Sequence, residues 1–201
     1  MSDSIDTRQR ILVSAWELIY ARNFGDVGVQ AICDHASVNK GSFYHFFRSK
    51  QELVLAVLDE FALDFEQDLL GQALRPELAP AARLEQLLEL VYHFQQAVAE
   101  VHGQVLGCMF GNLSAELSSL DPEVRRRIEG IFDRLRERLA ETLEQAQADA
   151  SIPPIDSRAS ADAMLAYLQG LQLLARTRND PELIRRLGPA MLQLLIAPGD
   201  G

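Results

Sequence analysis

The fold is decided by one short stretch of the chain, Asn39-Lys40-Gly41-Ser42-Phe43-Tyr44-His45-Phe46-Phe47-Arg48-Ser49-Lys50. Asn39 is a residue type that caps helices well, because its side chain accepts a hydrogen bond from a backbone N–H of the first turn. Ser49 is suited to open a second helix in the same way, and Glu52 follows it at the spacing of a capping box. The pattern therefore predicts one helix of about two turns between the two caps.

A helix this short is unstable alone, so neighbouring helices must support it. Three phenylalanines are available for that packing, namely Phe43, Phe46 and Phe47. The preceding residues 29–36 predict another short helix, and Ser37-Val38 predict a tight turn between the two. Two short helices joined by such a turn make a helix-turn-helix, whose second helix enters the major groove of DNA.

The polar side chains of this stretch suit that role. Cations, hydroxyl groups and an aromatic ring are the groups that contact phosphates and the edges of bases. We therefore predict that the DNA-binding residues are Lys40, Gly41, Ser42, Tyr44, His45 and Lys50.

Residues 8–53 resemble the DNA-binding domain of TetR/AcrR-type transcriptional repressors. The matching positions are Phe24-Gly25, Ile32, Ala36-Ser37-Val38, Lys40 to Phe47, and Ser49 to Leu53. The resemblance implies a ligand-responsive repressor that binds a near-palindromic operator as a homodimer and is released by a small-molecule inducer. The two DNA-binding domains of the dimer would then reach major grooves about 34–36 Å apart.

Three positions depart from the family pattern. Gly28 stands where the family often has Ser or Thr, which would cap the second helix and touch a phosphate. Ser37 replaces a frequent turn glycine, so a positive φ at this position would cost about 1 kcal/mol. Phe43 replaces a more usual leucine. These departures bear on individual phosphate contacts and leave the groove-facing set intact.

The charge of the chain is unevenly distributed. The whole chain has a net charge of −10, which by itself argues against a nucleic-acid partner. Residues 1–50, however, carry six Lys/Arg and five Asp/Glu, a net of +1, so residues 51–201 carry −11. Both lysines of the chain, Lys40 and Lys50, flank the predicted recognition helix. We therefore expect DNA affinity to fall steeply with salt.

The apolar periodicity along the chain predicts an all-α protein of about nine helices. We predict an N-terminal three-helix helix-turn-helix DNA-binding domain over residues 1–53 and a larger helical ligand-binding and dimerisation domain over residues 54–201. The predicted helices cover residues 7–21, 29–36, 39–47, 50–70, 81–101, 104–118, 122–148, 157–176 and 181–196.

The helix predicted over 157–176 carries little polarity. Between Ala163 and Ala175 only Gln169 and Gln172 are plainly polar, so the helix must be covered on more than one face. One interpretation is that both faces are buried within a single chain. The other is that this helix and the final one pair with their copies in a two-fold four-helix interface. The family resemblance favours the homodimer.

A second local pattern lies in Gly107-Cys108-Met109-Phe110-Gly111-Asn112-Leu113-Ser114-Ala115-Glu116. It resembles a subgroup of TetR-type repressors, some of which respond to electrophiles or small unsaturated acids through the matching cysteine. Cys108 would then react as a thiolate. The alternative is that Cys108 packs as a small hydrophobic residue, because activation of a thiolate needs a nearby cation or helix N-terminus. The further residues predicted to line a ligand site are Tyr92, Phe110, Asn112 and Tyr167.

Other functional classes find little support in the sequence. It contains no nucleophile-elbow, phosphate-loop, dinucleotide or zinc-site motif, so we predict neither an enzyme nor a cofactor or metal site. No run approaches the roughly 18 apolar residues of a membrane span, and we expect no membrane partner and a cytoplasmic location. The alternative functions are a helical protein-interaction module and a ligand-binding protein without DNA binding.

Overall fold

A computed structural model describes residues 2–196, and over this range the chain is helical and has no strands. Nine α-helices of seven residues or more lie within the described residues, which agrees with the predicted all-α class. They are α1 Ser2–Ala21, α2 Val29–His35, α3 Lys40–Phe46, α4 Lys50–Asp64, α5 Pro80–His102, α6 Met109–Leu117, α7 Pro122–Ala148, α8 Ser157–Arg178 and α9 Glu182–Ile196. A π-helical segment, Phe65–Leu70, and a short α-helix, Gly71–Ala73, follow α4.

One predicted helix is shorter than expected. The helix predicted over 104–118 begins at Met109, because the residues before it leave the helical conformation. Gly103 caps α5 with φ 72° and Gly107 has φ 73°, both in the left-handed region. The prediction that Gly107 lies inside a helix is therefore wrong. Gly107 and Cys108 belong to a loop between α5 and α6.

The chain divides into two compact units, and the first is discontinuous in sequence. It contains the residues up to Leu63 together with Met109–Ile128, and the second contains Asp64–Cys108 and the residues from Glu129 onward. The first unit thus combines the helix-turn-helix segment with α6 and the first turns of α7. The predicted functional division between residues 53 and 54 stays a prediction.

The core of the first unit is built by α1, α2 and α3, which pack against one another. Ile11 and Leu12 of α1, Ile32 of α2 and Phe43 of α3 are fully buried. Trp16 of α1 also packs against α4, since its ring stacks on Phe61 with 3.7 Å between ring centroids and 12° between planes. Apolar burial therefore supports the two short helices, as their length requires.

The core of the second unit lies among long helices. The helix α9 packs against α8 and α5, and Gly188 lets α9 approach α5 closely. A Cβ at Gly188 would stand 3.0 Å from Leu88 Cδ2. The buried residues at the centre of this core include Leu84, Leu87, Leu88, Met164, Leu168, Leu171, Leu183 and Ile184.

Candidate nucleic-acid interface and effector region

Side-chain hydrogen bonds cap the start of the recognition helix α3 and the start of α4, as the sequence predicts. Asn39 Oδ1 accepts a hydrogen bond from Ser42 N at 2.8 Å, which caps the N-terminus of α3. Ser49 Oγ accepts from Glu52 N at 3.0 Å, and Glu52 Oε2 accepts in turn from Arg48 N at 2.7 Å. These bonds satisfy backbone donors that a helix terminus otherwise leaves without intrahelical partners. The local sequence thus defines where α3 ends and α4 begins.

The turn between α2 and α3 contains a residue with positive φ at the position where a serine replaces the family's frequent glycine. Ser37 has φ 53°, a left-handed conformation that costs a residue with a Cβ about 1 kcal/mol. The turn is held by Val38 N, which donates to Cys33 O at 2.9 Å. The guanidinium of Arg10 on α1 also donates to Ala36 O and, at 2.9 Å, to Ser37 O. Arg10 therefore ties the turn to α1.

The outward face of α3 carries most of the predicted DNA-binding residues. Tyr44 is 53% exposed and its ring meets the buried Phe43 ring edge-on, with 5.2 Å between centroids. Phe43 is fully buried, so α3 presents one face to the core and the other to solvent. Of the other residues of α3 predicted to bind DNA, Lys40, Gly41 and His45 are exposed and Ser42 is half-buried.

Lys50 is placed differently from the other predicted DNA-binding residues. Its ammonium donates to Phe24 O at 2.5 Å and to Val27 O at 2.8 Å, and it lies 3.8 Å from the centroid of the Phe24 ring. Burial lowers the pKa of this ammonium, and the charges of Glu116 and Asp26 oppose that shift. In this structure Lys50 bonds to the loop between α1 and α2. A DNA contact by Lys50 stays a prediction.

The loop that holds Cys108 is fixed by a buried glutamine on α5. Gln95 is fully buried, its Nε2 donates to Gly107 O at 2.8 Å, and its Oε1 accepts from Gly107 N at 3.0 Å. Cys108 is half-buried and is not in a disulfide, and Gln169 Nε2 lies 3.6 Å from its Sγ. The aliphatic part of Arg176 lies beside Gly107, since a Cβ built on Gly107 would be 3.6 Å from both Cβ and Cδ of Arg176.

The sequence does not predict that Arg176 lies near the Gly107-Cys108 segment. Arg176 and Cys108 are far apart in the chain, and no local sequence pattern connects α8 to this loop. His102 is exposed at the end of α5, and His93 lies 3.7 Å from Glu89. Arg176 is therefore a basic residue that the fold brings beside Gly107.

Two family models match the chain. One is described as bacterial regulatory proteins of the tetR family and matches residues 11–57. The other is described as the tetracyclin repressor-like C-terminal domain and matches residues 80–191. The chain belongs to the TetR family. Its relatives are transcriptional regulators, and the helix-turn-helix is the DNA-binding part that this family shares.

Individual TetR-family relatives agree with this assignment. An uncharacterized HTH-type transcriptional regulator of Lactococcus lactis is 32% identical over 177 residues, which are 87% of this chain and 86% of the relative. The transcriptional repressor NemR of Escherichia coli is 31% identical over 122 residues, 60% of this chain and 58% of NemR. The crystal structure of reduced E. coli NemR superposes with a TM-score of 0.80 at 25% identity, covering 95% of this chain and 98% of that one.

The residues predicted to line a ligand site in this TetR-family chain fall into both units. Phe110 and Asn112 belong to the first, with the Phe110 ring centroid 6.4 Å from that of Trp16. Tyr92 and Tyr167 belong to the second, with Cys108. The Tyr167 hydroxyl donates to Leu187 O at 2.8 Å.

Tyr92 is also tied to α9. Its hydroxyl donates to Glu182, and the Arg185 guanidinium lies 4.4 Å from its ring centroid. The bond to Glu182, followed by burial, raises the pKa of Tyr92. Both tyrosine hydroxyls therefore already have protein partners on α9. A ligand role for these tyrosines, for Phe110 and for Asn112 stays a prediction.

The part of the chain that the structure describes lacks two further features, a metal-binding cluster and a membrane-spanning helix. No group of three or more His, Cys, Asp or Glu side chains there is arranged to hold a metal ion. Among those same residues, none of the helices is both long and apolar enough to cross a membrane.

Proposed function

We propose that this TetR-family chain is a repressor that binds a near-palindromic operator as a homodimer and leaves it when a small molecule binds. The observation that carries the proposal is the recognition helix α3, which is capped at its N-terminus and buried on one face. Its other face presents Lys40, Tyr44 and His45 to solvent. This helix follows α2 through a tight turn, which is the arrangement that places such side chains in a major groove.

Apolar surface on the last two helices supports the homodimer. Leu173 and Leu174 of α8 are 61% and 43% exposed, and Leu187 of α9 is 36% exposed. Burying large apolar side chains of this kind against a partner lowers the free energy of the assembly. A two-fold interface between α8 and α9 and their copies would cover these leucines. It would also supply the two DNA-binding domains that a palindromic site requires.

A gel shift with the DNA upstream of the gene tests the proposal. We expect Tyr44→Ala to abolish specific binding and Lys40→Ala to weaken binding and reduce the salt slope by about one. Leu120→Ala is the control, because Leu120 is 76% exposed and lies outside the helix-turn-helix. Wild-type protein that ignores the duplex at low salt would favour one of the alternatives, a protein-interaction module or a ligand-binding protein without DNA binding.

We further propose that the inducer is an electrophile or an unsaturated acid sensed at Cys108. The aliphatic part of Arg176 lies beside Gly107, and a guanidinium within reach of the Cys108 sulfur would favour the thiolate. The thiolate sulfur would bond to the β-carbon of an α,β-unsaturated compound, and the α-carbon would then take a proton from water. The similarity to NemR, which has been crystallised in a reduced form, is a second support.

Operator release measured after treatment with an α,β-unsaturated aldehyde tests the role of Cys108. We expect release of the wild type and of Cys33→Ala, because Cys33 is fully buried and burial raises the pKa of its thiol. We expect Cys108→Ser to stay bound. Equal release of wild type and Cys108→Ser would leave Cys108 as a packing residue.

A further inference from the structure

A carboxylate from outside the helix-turn-helix grips the loop that leads into it. Glu116 lies on α6, and its two oxygens accept hydrogen bonds from two successive backbone amides of the loop between α1 and α2. Phe24 N donates to Oε2 at 2.9 Å, and Gly25 N donates to Oε1 at 2.6 Å. Bonds to an ionised acceptor are stronger than neutral ones, so this paired contact restrains the loop.

The same loop is held through its carbonyl groups by Lys50. The ammonium of Lys50 donates to Phe24 O and Val27 O, while the carboxylate of Glu116 accepts from the backbone amides of Phe24 and Gly25. An acid and a base thus bind complementary backbone groups of one short segment. We call Glu116 and Lys50 with the loop residues 24–27 the loop clamp.

The segment that carries Glu116 is anchored to α4 at two more points. Asp121 Oδ2 accepts from Gln51 Nε2 at 2.5 Å, and Arg127 donates to Asp59. Residues 109–128 therefore belong to the same compact unit as the recognition helix, although they are distant from it in sequence. Glu116 therefore lies in a segment that bonds to α4 within the same compact unit.

We infer that Glu116 is a positioning residue for DNA recognition, which acts through the α1–α2 loop without touching DNA itself. The loop determines where α2 begins, since Val27 is fully buried and Gly28 is the N-cap of α2. The helices α2 and α3 have seven residues each and depend on their neighbours for orientation. This inference rests on the proposed function, because operator binding is its readout.

The sign of one measured change separates this role from simple electrostatics. Neutralising an acidic residue on a DNA-binding unit should strengthen binding to a polyanion or leave it unchanged. The loop clamp predicts the opposite for Glu116. We expect Glu116→Ala to lose about tenfold in operator affinity, and Glu116→Gln to lose less because its amide oxygen keeps one acceptor.

The experiment measures operator affinity over a range of salt concentrations for wild type, Glu116→Ala, Glu116→Gln and the matched control Glu123→Gln. Glu123 is exposed at the start of α7, so its neutralisation should not weaken binding. The slope of log affinity against log salt should stay at the wild-type value for Glu116→Ala, whereas Lys40→Ala should lower it. Affinity of both Glu116 variants equal to or above that of the wild type would overturn the inference.

A second variant and a second measurement test the inference even if a Glu116 variant folds poorly. Gly25→Ala adds a Cβ 3.2 Å from Glu116 Oε1 and should also weaken operator binding while leaving both charges in place. Amide hydrogen exchange should accelerate at Phe24 and Gly25 in Glu116→Ala and stay unchanged in Glu123→Gln. A wild type that binds no duplex defeats the proposed function, and unchanged exchange at these two amides overturns the loop clamp independently of DNA.

Discussion

The helices α2 and α3 of the first unit have seven residues each, whereas α5 and α8 of the second unit have 23 and 22. The short pair is bounded by side chains that bond to backbone groups, among them Asn39, Arg10 and Lys50. The long helices are held along most of their length by continuous apolar faces. Short helices gain little from cooperativity, so their termini decide where they form.

This difference predicts which positions in each unit are sensitive to mutation. In the first unit, each cap should contribute about 1 kcal/mol to the free energy of unfolding, the usual value of an N-cap, because several caps together fix the two short helices. In the second unit, most polar positions on the long helices should be tolerant, and the exceptions should be buried side chains that bond to backbone groups. Gln95 is the clearest such exception.

The largest expected effect is that of Gln95→Ala. The variant removes both hydrogen bonds between the buried Gln95 amide and the backbone of Gly107, and it leaves a cavity. We expect a loss of about 2–4 kcal/mol in the free energy of unfolding, measured by urea denaturation at one fixed protein concentration. Gln96→Ala, at a half-buried position on the same helix, is the control and should change stability by less than about 0.5 kcal/mol. Equal stability of the two variants would contradict the contrast between the units.

The next effect in size is that of Asn39→Ala in the first unit. Loss of the bond from Ser42 N to Asn39 Oδ1 should cost about 1 kcal/mol of stability, the usual value of an N-cap. Asn39→Asp keeps an acceptor oxygen at the same place and should stay near the wild type. Thermal unfolding of the three proteins checks this. An aspartate variant as unstable as the alanine variant would show that the amide group acts in some other way.

The caps at the starts of α3 and α4 could be predicted from the sequence because each partner lies within four residues of the other. Lys50 and Glu116 could not be assigned to the loop in this way. Lys50 bonds 26 and 23 positions away, and Glu116 bonds 92 and 91 positions away. Their partners are backbone groups, which have no residue signature. From the sequence, Lys50 beside the recognition helix therefore predicts a DNA contact, and Glu116 within a helix predicts only a polar face.

The Gly107-Cys108 loop illustrates the same limit in the second unit. The apolar pattern over 104–118 favoured a continuous helix, and only the left-handed φ of Gly107 and its bonds to Gln95 exclude one. Where apolar spacing was strong and unbroken, as in α7 and α8, the predicted and observed ranges agree to within two residues. The fold class and the recognition helix follow from local pattern, while the contacts that orient them are long-range.

A smaller effect of opposite sign is expected for Ser37→Gly. Glycine adopts φ near 53° without the strain of a Cβ, but it also increases the entropy of the unfolded chain. The two terms leave a net gain of about 0.5 kcal/mol in stability. Ser119→Gly is the control, because Ser119 has negative φ and the same substitution there should destabilise. A loss of stability in Ser37→Gly would mean that the serine side chain stabilises the turn.

The smallest expected effect is that of Gly28→Ser at the start of α2. Gly28 has the extended backbone of an N-cap, φ −84° and ψ 158°, but it supplies no side-chain bond to the helix. A Cβ at this position would meet nothing within 4 Å, so a serine fits without displacing a neighbour. We expect a gain of a few tenths of a kcal/mol in stability, roughly the difference between glycine and serine caps. If the first unit is held chiefly by its caps, this gain should appear in the protection of α2 amides against hydrogen exchange. A serine that leaves those amides unchanged would mean that the loop clamp on residues 24–27 already fixes the start of α2.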